Sequence, residues 1–211
     1  MNQILITKNK KYKNFKNNKN KKFFKIQFTI SSIIIIILLF FLVYYFFSLR
    51  YNEYFSKNLI NNYEIYKLYS KNYYAHNNNF DNNLFGIIEI SKINIYYPIF
   101  SNLSDEKLKK APCKFYGDSL DKNDNICIAG HNYDNSMFFS KISKLNIDDE
   151  IIIYDNTGKI YIYYVTSIYE VSSSDLSPVL DYNHSQKNLT LVTCNNFNSN
   201  RIILRAKQKS S

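Results

Sequence analysis

Cys194 ends the apolar run Leu189-Thr190-Leu191-Val192-Thr193-Cys194, and this pattern reads as a buried strand that closes on a thiol. A cysteine there sits on a rigid element while its side chain can face a loop-lined cleft, a suitable post for a nucleophile. The stretch Asn125-Ile126-Cys127-Ile128-Ala129-Gly130-His131 repeats the design: a strand, a glycine that permits close backbone approach, then a histidine at the edge. Arg201 opens a third apolar run, Arg201-Ile202-Ile203-Leu204. Thiol chemistry proceeds through the thiolate, which a neighbouring imidazolium or guanidinium favours. His131 and Arg201 can supply those two cations. Each residue alone also has a plainer reading: a core thiol, a turn histidine, a solvated edge charge. Arg205 competes with Arg201, because four residues along a strand the two share a face.

The elements that must position these side chains are short strands separated by turns. All four glycines and all three prolines lie after position 85, so the tight turns concentrate there. Strands are predicted over Ile87–Ile90, Ile93–Phe100, Asn125–Gly130, Glu150–Tyr154, Lys159–Val171, Asn188–Thr193 and Arg201–Ala206. Asp155-Asn156-Thr157-Gly158 is a hairpin signal. Short helices are predicted after Ser104 as N-cap, over Ser136–Leu145 and over Asp175–Leu180. Many strands with few brief helices favour an all-β fold, a closed or nearly closed β-barrel, over a βαβ sheet.

Length and charge bound what surrounds that barrel. The chain has 211 residues, room for one domain with appendages, and 45% hydrophobic residues give it ample core material. Its net charge of +10 comes almost entirely from the first 25 residues, which hold nine lysines and no acid. The rest of the chain is nearly neutral, so a nucleic-acid-coating surface is not supported. Ile26 to Leu49 carry no charge, enough helix to cross a bilayer. The run is longer than a signal-peptide core and is followed by the bulky Phe46, Phe47 and Leu49. The lysines before it place the N-terminus in the cytoplasm and the remainder outside. The expected organisation is a basic tail over 1–25, a transmembrane helix over 26–49, a stalk over 50–85 with a polar hinge at Asn77–Asn83, and a catalytic domain over 86–211.

Thr190-Leu191-Val192-Thr193-Cys194, Ala129-Gly130-His131-Asn132 and Arg201-Ile202-Ile203-Leu204, in the order His, Cys, Arg and behind a single anchor, resemble the sortase family of Gram-positive membrane-anchored cysteine transpeptidases. The likeness covers about Gly86–Lys207. It implies an eight-stranded barrel, whose uncounted strand would fall near Lys114–Gly117. It also implies the catalytic set His131, Cys194 and Arg201, no cofactor, and Thr193 as a substrate-groove residue. The implied reaction is cleavage of an LPxTG-like signal on a secreted protein through a thioacyl intermediate. Transfer then goes to a peptidoglycan-precursor or pilin amine at the cell membrane. The compact core looks like class A or D and the histidine loop somewhat like class B; an Asp-Pro-aromatic lid motif is absent before the domain.

Two other readings stand beside this one: a non-enzymatic surface-binding β-domain with Cys194 as a core residue, and a different cysteine hydrolase. Cys127 is expected in the core and Cys113, beside Pro112, in a loop; His76 and His184 are expected at the surface. Three cysteines without a CxxC make a disulfide framework or structural zinc unexpected. Asp118, Asp121, Asp124, Asp148, Asp149 and Glu150 could contribute to a Ca²⁺ site, but carboxylates near turns are commonly just solvated, and no metal is expected. The Asn188-Leu189-Thr190 sequon falls in a strand predicted to be buried and is discounted as a glycosylation site.

Overall fold

The computed structural model describes residues 2–72, 83–133, 137–197 and 199–208. The chain divides into two compact units, Met1–Tyr51 and Asn52–Ser211. Helix α1 (Asn2–Asn72), whose residues up to Tyr51 belong to the first unit, carries an apolar stretch long enough to cross a membrane. Its polar interruptions are satisfied within the helix. Thr29 Oγ1 donates to the Ile26 carbonyl at 2.8 Å and Ser32 Oγ to that of Phe28 at 2.9 Å, so neither hydroxyl needs water.

The second unit is a closed barrel of eight strands: β1 (Leu84–Ile90), β2 (Ile95–Phe100), β3 (Cys113–Tyr116), β4 (Asn125–Ala129), β5 (Glu150–Asp155), β6 (Ile160–Val171), β7 (Asn188–Cys194) and β8 (Arg201–Gln208). Their spatial order is β1-β2-β3-β4-β7-β8-β6-β5. Neighbours are antiparallel except β2 with β3 and β4 with β7. Alternate residues fill the interior, among them Ile88, Ile126, Ile128, Ile153, Tyr163, Leu189, Leu191 and Leu204, all buried.

The turns follow their residues. The Asp155 carboxylate accepts from the backbone of Thr157 and Lys159 at 2.8 and 2.9 Å, and Gly158 adopts φ +86° to close the β5–β6 hairpin. The strand expected over Ile93–Phe100 starts later, because Ser91–Ile93 forms a 3₁₀ turn ended by left-handed Asn94. Ser104 caps the short helix α2 (Asp105–Leu108) by accepting from Lys107 N at 3.2 Å. Of the helix expected over Ser136–Leu145 only the 3₁₀ turn Ile142–Lys144 forms, Ser136 lying outside the described residues. The third short helix, α3, is Ser177–Leu180.

The second compact unit starts within the segment expected as a stalk, 50–85. The compact unit begins at Asn52, and Phe55 and Leu59 of α1 pack against Leu84, Phe100, Ala111 and Cys113. Ser56 between them is buried, and Lys110 Nζ lies 5.0 Å over the Phe55 ring. His76 and residues 77–82 of the hinge lie outside the described residues.

Candidate active site

Strand parity sets the direction of each side chain on β7. Leu189, Leu191 and Thr193 are buried and point to the interior, so Thr190, Val192 and Cys194 point outward; Cys194 at the strand end is exposed. On the antiparallel partner β8, Arg201 pairs directly with Cys194. Its Nη1 donates to Sγ at 2.6 Å. Arg205 pairs with Thr190 and is otherwise engaged: its Nη2 donates to the carbonyls of Ser177 and Pro178, both at 3.2 Å, and to that of Asp181. Parity puts both arginines on one face; register gives only Arg201 to the sulfur.

His131 arrives from the other side. β4 runs parallel to β7 with Ala129 beside Val192, and the pairing continues past the strand end. Gly130 N donates to the Val192 carbonyl at 3.0 Å, and Asn132 Nδ2 to the Cys194 carbonyl at 2.8 Å. His131 is the residue between these two contacts. Phe139 N donates to the His131 carbonyl at 3.0 Å, and a β-bridge joins Asn132 to Phe138. Gly130 is needed because the Phe139 ring packs on it: a Cβ would come within 2.6 Å of a ring carbon. The half-buried imidazole lies 4.8 Å, centroid to centroid, from the Tyr133 ring. Burial, and secondarily the positive charge of Lys109, hold its pKa below the ordinary value, opposed by Asp105.

Thr193, expected as a substrate-groove residue, lies on the inward-facing side of β7. Its side chain is 2% exposed on the interior face, and Oγ1 donates to the Gly130 carbonyl at 2.7 Å. Thr193 thus ties the histidine segment to the cysteine strand from inside. The outer face beyond Cys194 is floored by Ala129, Val192 and Ile203 in register. The β6–β7 connection packs at the start of β4 and β7: Asn125 Nδ2 donates to the Pro178 and Val179 carbonyls at 3.2 and 3.0 Å, and Thr190 Oγ1 to Asn125 Oδ1 at 2.8 Å.

The other cysteines are inaccessible. Cys127 is fully buried, as expected of a core thiol, and burial pushes its pKa up to about 12. Cys113, expected in a loop, opens β3 and is also fully buried, its pKa raised to about 11. His184 is exposed and stacks on Tyr182 at 4.3 Å. The acidic residues pair with lysines, Asp121 with Lys159, Asp118 with Lys122 and Asp149 with Lys92. Among the described residues no cluster of three or more His, Cys, Asp or Glu side chains could hold a metal ion.

A nucleophile candidate and a guanidinium paired on one strand end of a closed eight-stranded barrel invite comparison with known proteins. The family model described as Sortase domain matches residues 88–209, more than half of the chain. The chain belongs to the sortase family. Among solved structures, a Clostridium perfringens sortase D5 transpeptidase is 27% identical, with a TM-score of 0.57 over 75% of this chain and 98% of that one. Sortase C1 from Streptococcus agalactiae is 27% identical, TM-score 0.55, over 62% and 69% of the two chains. A lid mutant of sortase A from Corynebacterium diphtheriae is 25% identical, TM-score 0.55, over 60% and 70%. No curated protein matches. The barrel and its N-terminal apolar helix are sortase-like, and sortases are membrane-associated transpeptidases.

Residue type alone does not reveal the support for this site. Asn132 bonds through its side-chain amide to the Cys194 carbonyl and Phe139 through its backbone N to that of His131, and only the GHN run hinted that the histidine segment extends past His131.

Proposed function

We propose that this sortase is a cysteine transpeptidase whose nucleophile is Cys194. The thiolate attacks the carbonyl of the threonine-type residue in an LPxTG-like sorting signal on a secreted protein. The C–N bond breaks, His131 as imidazolium protonates the leaving amine, and a thioacyl-enzyme remains. An incoming amine, from a peptidoglycan precursor or a pilin, loses its proton to His131, attacks the thioester and regenerates the thiolate. Arg201 holds the substrate backbone and stabilises the oxyanion in both halves of the reaction. The apolar helix anchors the enzyme in the cell membrane with its N-terminus in the cytoplasm and the barrel outside. There anchor, substrate and lipid-linked acceptor meet at one surface.

The observation that carries this reading is the direct cross-strand contact of Arg201 with the exposed Cys194. The exposure of Cys194 supports a reactive thiol over a binding domain that uses it only for packing. The test incubates the full-length protein in detergent micelles with a library of LPxTG-like peptides and an amine acceptor. Amine-dependent ligation that is lost in Cys194→Ala is expected. Hydrolysis indifferent to amine would point to a hydrolase, and no turnover across the library would contradict the proposal.

A further inference from the structure

The connection between Cys194 and Arg201 is held at both ends by one carboxylate. Asn195 and Asn200, its first and last residues, close it with a backbone bond from Asn195 N to the Asn200 carbonyl at 3.0 Å. Both carboxamides also reach Glu170 on β6. Asn195 Nδ2 donates to Oε1 at 2.7 Å and Asn200 Nδ2 to Oε2 at 3.5 Å. The orientation of the Asn195 amide is fixed, since its Oδ1 accepts from Phe197 N at 2.9 Å and leaves Nδ2 to face the carboxylate.

Glu170 stands opposite Ile202, and its neighbour Val171 stands opposite Arg201. Strand parity therefore directs Glu170 to the opposite face of the sheet from Arg201. The carboxylate grips the loop without facing the guanidinium that the sulfur uses. A charged acceptor makes stronger hydrogen bonds than a neutral one and fixes both loop ends at once.

We propose that Glu170 is a positioning residue of the transpeptidase reaction: by clamping Asn195 and Asn200 it holds Arg201 in register with Cys194. The role rests on the proposed nucleophile, and the register it enforces is a property of the protein whether or not a given peptide is turned over. Loss of the clamp lets the loop open at either end. The 2.6 Å Nη1 to Sγ contact is then populated only part of the time, and about 1 Å of misplacement is enough to weaken catalysis severely.

The test measures two quantities on the full chain in detergent micelles: alkylation of Cys194 by iodoacetamide at neutral pH, which needs no substrate, and kcat and KM with peptide and amine. The variants are Glu170→Ala, Glu170→Gln, Arg201→Ala and the double Glu170→Ala/Arg201→Ala. Alkylation reads the reactivity of the sulfur that the guanidinium contacts. Glu170→Ala is expected to slow it about threefold or more and to lower kcat about tenfold with KM little changed. Glu170→Gln keeps the shape and one neutral acceptor and should fall between. In the Arg201→Ala background the Glu170 change should add nothing, since it acts through Arg201. Wild-type alkylation rates in both Glu170 variants, or effects of Glu170 and Arg201 that multiply fully, would overturn the clamp. An inert wild type whose alkylation rates still show the coupling would instead count against the sortase reaction and leave the clamp standing.

Discussion

Arg201 stands directly across the β7–β8 hairpin from Cys194, with Nη1 2.6 Å from Sγ. This contact depends on register: shifting the hairpin by one residue would turn one of the two side chains into the barrel. In the proposed reaction the planar guanidinium offers a second nitrogen to a carbonyl oxygen while the first stays on sulfur. Arg201→Lys keeps the charge and loses the fork, so kcat/KM should fall roughly 10²-fold, the range for removing one oxyanion donor. Steady-state ligation of an LPxTG-like peptide measures it. A loss under threefold would show that charge alone suffices.

Arg205 has a different task, holding the β6–β7 connection through the carbonyls of Ser177, Pro178 and Asp181. Arg205→Ala should lower Tm in a thermal-shift assay, since the β6–β7 connection loosens, and should lower kcat far less than Arg201→Ala does. A kcat loss as large as that of Arg201→Ala would reverse the assignment of the two arginines.

Thr193→Val leaves the buried Gly130 carbonyl without its side-chain donor. Removing one partner of a buried bond costs about 1–3 kcal/mol. Thermal unfolding should shift down accordingly, and activity should fall because the segment before His131 loosens. An unchanged Tm would contradict the tie.

His131 is held below the ordinary imidazole value of about 6.5 by burial first and Lys109 second. The unfolded chain therefore binds this proton at higher pH than the folded one. The group leaves stability unaltered above about 6.5, lowers it as pH falls from there to the folded-state value, and has no further effect below. Proton NMR of the imidazole should show the depressed value and a rise in Lys109→Ala. A value at or above 6.5 would contradict it.

Cys113 and Cys127 are fully buried with raised pKa values, whereas Cys194 is exposed. Native protein should therefore take up one equivalent of a thiol reagent by mass spectrometry, at Cys194, and three after denaturation. A second fast-reacting thiol would mean the barrel opens near β3 or β4.

Much of the fold and site is legible in the sequence, for identifiable reasons. Long apolar strands such as β7 and the Asp155–Gly158 hairpin carry their own patterns, and the three site candidates sit at strand ends. β3 escapes the pattern because it has four residues and includes Lys114; the family likeness places it instead. The burial of Thr193 follows from parity, which the sequence already holds: if Cys194 faces outward, its neighbour faces the core. The packing of Phe55 and Leu59 escapes because no breaker separates them from the apolar helix that precedes them. The Glu170 clamp depends on a contact across 25 and 30 residues, which spacing cannot show.

The most direct measurement is mass spectrometry of the full-length protein mixed with an LPxTG-like peptide and quenched in acid before amine is added. The account predicts an adduct on Cys194 of the mass of the peptide's N-terminal part. It should be absent in Cys194→Ala and discharged when amine is supplied. Cleavage that persists in Cys194→Ala, or an acyl group on any other residue, would contradict it.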